Sequence, residues 1–76
     1  MQKIITLHQI GNYVSPDTLE EFEAIRNLYG SMPSDQLAVY PFRGCPLIVD
    51  EETYNPFTNA QVVEAVELEI YNLRRR

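Results

Sequence analysis

The sequence of 76 residues predicts a small α+β domain in the order β-α-β-β-α, a mainly antiparallel three-stranded sheet with two helices packed on one face. Three observations predict it. Two stretches with helical spacing of apolar residues each follow a capping sequence, at Ser15-Pro16-Asp17 and at Thr58-Asn59-Ala60-Gln61. Three runs rich in β-branched or aromatic residues lie outside them, at 3–10, 36–42 and 45–50. No Gly/Ser-rich linker, repeat or low-complexity stretch divides the chain, so one compact unit over residues 1–76 is expected.

The first run is dense in β-branched side chains and stops at Gly11-Asn12, as a strand ending in a turn does. The first helix then opens at Ser15, with Pro16 in the first helical position and Asp17, Glu20 and Glu21 near the positive end of its dipole. Val14 and Leu19 stand at the spacing of a hydrophobic staple. Leu19, Phe22, Ile25 and Tyr29 share one face, the core side; Glu20, Glu23 and Asn27 share the other, and Glu23 and Arg26 are spaced to pair. Gly30 suits the C′ position ahead of Pro33.

Residues 36–42 and 45–50 flank Arg43-Gly44, a turn in which Gly44 can adopt positive φ, and so predict a β-hairpin. A two-residue loop sets Phe42 opposite Cys45, Tyr40 opposite Leu47 and Ala38 opposite Val49 on one surface. Leu37, Val39, Pro41, Pro46 and Ile48 then fall on the other, and both surfaces are apolar. Pro41 and Pro46 lack the N–H groups a neighbouring strand would need, so the tip from Tyr40 to Pro46 is expected to project as a stiffened finger.

After the acidic loop Asp50-Glu51-Glu52 and the turn residues Tyr54-Asn55-Pro56, Thr58 and Gln61 have the spacing of a capping box, and Phe57 with Val62 that of a staple. The second helix is expected to run to about Arg75, its arginines complementing the negative end. Val62, Val66, Ile70 and Leu73 form an inward stripe flanked by Val63, Ala65 and Glu69. A rotation of about 100° per residue puts Glu64, Glu67, Leu68, Tyr71 and Arg75 on the opposite side. Leu68 and Tyr71 thus lie among carboxylates, where the core has no need of them.

A chain this short removes only about 60% of its unfolded surface from water, which leaves little interior for an enclosed substrate cavity. Eleven acidic against six basic side chains give a net charge of -5, and without the terminal Arg74, Arg75 and Arg76 the rest carries -8. Such a surface repels a phosphate backbone, which argues against direct nucleic-acid binding, and attracts a basic protein surface. The single Cys45 cannot form an intramolecular disulfide, and no N-terminal stretch has the layout of a signal peptide. A cytoplasmic setting is expected, that of a host cell if the source is viral. No apolar run approaches the ~18 residues needed to span a bilayer, so no membrane partner is expected.

Catalytic and metal-binding patterns are faint. His8 and Cys45 make a formal thiol–imidazole pair, without a legible orienting partner. Asp50, Glu51, Glu52 and Glu64 match no calcium loop, and there is no ligand set for zinc. Gly11, Gly30 and Gly44 are isolated and form no phosphate loop. The sequence thus predicts a protein that is not an enzyme and takes no cofactor or metal.

Two surfaces stand out for binding instead. The finger presents Tyr40, Phe42 and Arg43, residue types that often dominate interface energetics, and the second helix presents Glu64, Glu67, Leu68 and Tyr71. The expected function is a small acidic protein-binding regulator or inhibitor that docks on a basic surface of a larger protein or complex, itself a monomer or a homo-oligomer. The alternative is an assembly subunit that self-associates through the second hairpin face, with Leu37, Val39 and Ile48. In composition the chain resembles small acidic inhibitors of nucleic-acid enzymes, including those made by bacteriophages against host RNA polymerase or defence nucleases; the likeness is one of composition alone.

Overall fold

A computed structural model describes residues 16–39 and 47–75 with their side chains, and residues 4–7 and 13–14 as strand backbone. The elements are β1 Ile4–Leu7, β2 Tyr13–Val14, α1 Leu19–Gly30, β3 Ile48–Asp50 and α2 Asn59–Arg74. The predicted finger from Tyr40 to Pro46, with Tyr40, Phe42 and Arg43, lies outside the described residues, as do His8, Ser15, Cys45 and Arg76.

The predicted β-α-β-β-α sheet beneath two helices is not what the chain builds. Among the described residues the order is β-β-α-β-α, with strands of four, two and three residues. β1 pairs antiparallel with β2 through Thr6↔Val14 and Leu7↔Tyr13, and with β3 through Ile4↔Asp50, Ile5↔Val49 and Thr6↔Ile48. Among the described residues the helices pack chiefly on each other, and α2 also touches β1.

Over its described residues, 36–39, the first half of the predicted hairpin forms no regular strand, because several of its backbone groups bond to the segment at 57–59. Gln36 O accepts from Asn59 N at 2.8 Å and Ala38 N donates to Phe57 O at 2.7 Å, and among the described residues this stretch forms the isolated bridges Leu37 to Thr58 and Val39 to Leu47. Val39 opposite Leu47 is one residue out of the predicted register, and a slip of one residue exchanges the two faces of a strand. Ala38 and Ile48, joined by a 3.0 Å hydrogen bond from Ile48 N to Ala38 O, therefore sit together in the core, while Leu37 and Val39 are 51% and 48% exposed. The apolar face predicted from Leu37, Val39 and Ile48 is thus divided between solvent and interior.

α2 forms as its sequence predicts. The Thr58 hydroxyl accepts from Gln61 N at 3.3 Å and Gln61 Oε1 accepts from Thr58 N at 3.0 Å, and the helix ends with Arg75 as C-cap. α1 starts later than expected, with Thr18 and not Ser15 as N-cap. Thr18 accepts from Glu21 N at 3.2 Å, and Glu21 Oε1 accepts from Thr18 N at 3.3 Å. The reciprocal side chain decides the matter: three residues after Thr18 stands a glutamate, whereas three after Ser15 stands a threonine too short to reach back. At the other end Gly30 is the last helical residue, and Ser31 serves as C-cap, its hydroxyl donating to Leu28 O at 2.8 Å.

The core lies between the helices. Phe22 and Tyr29 of α1 meet Val62, Val66 and Ile70 of α2, with Ile48, Ala38 and Phe57 closing the remaining sides. Leu19, Ile25 and Leu73 pack against this cluster as predicted. Tyr29 also donates its hydroxyl to Val39 O at 2.6 Å, fixing the segment that follows α1. The two helices run antiparallel: Glu23 near the start of α1 pairs with Arg74 at the end of α2, and Gly30 lies beside Val63, whose Cγ2 is 3.9 Å from the point a Cβ would occupy. Glu23 therefore takes its cation from α2 and not from Arg26.

The loop after α1 also closes the start of α2. Asn59 Nδ2 donates to Pro33 O at 2.7 Å and Ala60 N to Ser34 O at 3.1 Å, and Asn59 itself is buried. With Asn59 N on Gln36 O, Gln61 N on Thr58 Oγ1 and Val62 N on Thr58 O, each N–H from Thr58 to Val62 has an acceptor.

Candidate interaction face

The 3.6-residue period that buries Val62, Val66 and Ile70 turns Glu64, Glu67, Leu68 and Tyr71 outward, and all four are exposed. Leu68 is 54% and Tyr71 57% exposed, although the opposite side of the same helix is almost completely dry. The inner stripe serves the core, while the outer side sets two large apolar side chains, three residues apart, in solvent.

Two shallow depressions border this face. One, of about 670 Å³, is lined by Phe57, Gln61, Glu64, Ala65, Glu67 and Leu68. The other, of about 440 Å³, is lined by Arg26, Glu67, Ile70, Tyr71, Arg74 and Arg75, and the two meet at Glu67. The Arg75 guanidinium lies over the Tyr71 ring, 5.4 Å from its centroid, which holds a cation along the face. The outer side of α2 is thus acidic over its first half and basic over its second, with Leu68 and Tyr71 between.

The remaining candidates do not converge on a site. Asp50 is buried, and its Oδ1 accepts from Glu52 N at 2.7 Å and Thr53 N at 3.2 Å, so this carboxylate organises a turn in which Tyr54 adopts a φ of 58°. Glu64 stands apart on α2, and among the described residues no group of three or more His, Cys, Asp or Glu is placed to hold a metal ion. Glu21 has its carboxyl held below the ordinary glutamate value, first by the Thr18 hydroxyl that donates to it at 2.9 Å and then by the Asp17 backbone N–H; this is a capping role. Among the described residues no helix is long and apolar enough to cross a membrane.

Sequence reasoning placed the four outer residues of α2 but missed the walls around them. Phe57, Gln61 and Ala65 were visible only as cap and flank, and Arg26 as a partner of Glu23. Their signal was the antiparallel packing of the helices, which brings position 26 of α1 to the C-terminal half of α2. The chain matches no family model, no curated protein and no solved structure.

Proposed function

We propose that the protein is a small acidic protein-binding regulator or inhibitor that docks through the outer face of α2 on a basic surface of a larger protein or complex. One observation carries this reading: a helix whose inner stripe fills the core also exposes more than half of Leu68 and of Tyr71, beside Glu64 and Glu67. The carboxylates steer the encounter, and the two apolar side chains supply the area that loses water. Nucleic-acid enzymes, whose substrate channels are basic, are the partner class that suits a net charge of -5. A bacteriophage inhibitor of a host polymerase or nuclease is a source consistent with that partner.

Affinity capture from extracts of the source cell tests the reading, with wild type compared with the double variant Leu68→Ala/Tyr71→Ala at low and high salt. Wild type should retain a basic protein, the double variant should lose it, and salt should weaken the retention. Retention insensitive to both the variant and salt defeats the reading.

A further inference from the structure

The outer face of α2 is complementary to itself. Gln61, Glu64, Leu68, Tyr71 and Arg75 follow one another at spacings of three, four, three and four residues, the period of a helix-pairing seam, and every one of them is exposed. A two-fold axis passing between Leu68 and Tyr71 sets Leu68 of one copy against Tyr71 of the other. The same axis sets Glu64 against Arg75, twice. A parallel pairing would oppose Glu64 to Glu64 and Arg75 to Arg75, so charge selects the antiparallel arrangement.

We infer that a second copy of this chain occupies the outer face of α2, forming an antiparallel helix pair with Leu68 and Tyr71 at its centre and Glu64–Arg75 pairs at its ends. The inference rests on the reading of this face as a docking surface and names an occupant for it. Arg75 is already drawn along the seam by the Tyr71 ring, so the pairing cation is held near its place in the single chain. The exposed ion pairs fix orientation and add little affinity, which comes from the central apolar pair. The seam from Glu64 to Arg75 is about 16 Å long at ~1.5 Å per residue, well short of a large obligate interface. Association is therefore reversible and concentration-dependent, and a foreign partner of the same face competes with it.

Sedimentation equilibrium of the full chain, from about 10 μM to about 1 mM, tests this, with circular dichroism showing that each variant keeps its helices. Wild type should show a monomer–dimer equilibrium, and Leu68→Ala/Tyr71→Ala should stay monomeric. Glu64→Arg alone and Arg75→Glu alone should each weaken self-association by about tenfold, because each places like charges at both ends. An equimolar mixture of those two variants should regain the wild-type affinity, since every seam pair is then opposite in sign. A wild-type monomer throughout the range overturns the inference, as does a dimer indifferent to all of these substitutions. A monomeric wild type that still captures a basic protein through Leu68 and Tyr71 overturns only the second copy and leaves the docking reading standing. A seam-dependent dimer whose cellular captures ignore both residues does the reverse.

Discussion

α1 and α2 begin with the same device and end with different surfaces. Each is capped by a threonine whose hydroxyl takes the N3 amide while the N3 side chain takes the threonine amide, and each turns an apolar stripe into the shared core. α1 then shows solvent mainly Glu20, Glu21, Ala24 and Asn27, with Leu28 only 37% exposed, whereas α2 shows Leu68 and Tyr71 more than half exposed. The N3 residues also differ: Glu21 titrates and Gln61 does not. The same capping and periodicity make both helices; what separates them is the outward face, and that is where we propose that interaction is concentrated.

The comparison can be broken most severely from within. Ile70→Ala on α2 and Phe22→Ala on α1 should cost about 2–5 and about 3–5 kcal/mol respectively, read from urea unfolding at unchanged slope. If the helices contribute equally to one core, both variants lose most of the protein's stability, and a mild effect of either would mean that its helix is peripheral.

The caps sharpen the likeness. Thr58→Ala should cost about 1–2 kcal/mol and Thr18→Ala about 0.5–1 kcal/mol, the first being larger because the start of α2 is bound to the segment at 33–36 while Thr18 is exposed. Equal costs by thermal or chemical unfolding would show that the surrounding segment adds nothing.

Acid separates the two caps. Because the folded-state pKa of Glu21 is lowered, its stabilising contribution is present above the ordinary glutamate value and fades as pH falls toward and through the folded value. Stability of wild type should therefore decline over that acid range more steeply than that of Glu21→Gln, whose cap keeps a neutral acceptor like that of Gln61. Parallel pH profiles for the two proteins would remove the distinction. The smallest change in stability, within about 0.5 kcal/mol, is expected of Leu68→Ala and Tyr71→Ala, which should nonetheless abolish association. A large loss of stability in either would return the outer face of α2 to the fold.

Where several local signals agreed, the sequence was readable. Thr58, Gln61, Phe57 and Val62 all marked one helix start, and it lies there. Around Ser15 and Thr18 two acceptable caps lay three residues apart, and the reciprocal Glu21 settled the choice. β2 has two described residues, too few to show any period. The register between 37–39 and 47–49 was underdetermined because both faces of that run are apolar, so hydrophobic pattern could not tell Val39↔Leu47 from its neighbour. The outer residues of α2 followed from helical geometry alone, while Arg26, Phe57 and Ala65 required knowing how α1 and the loops lie against it.

The closed start of α2 has a consequence for how the protein breathes. First-turn amides of a helix ordinarily trade hydrogen for deuterium soon after transfer to heavy water, because nothing but solvent accepts from them. The Asn59 and Ala60 amides here are held by carbonyls more than twenty positions earlier in the chain. Their isotope exchange should await an opening that parts 33–36 from α2, so two protons at a helix tip would report a rare concerted motion in place of ordinary fraying.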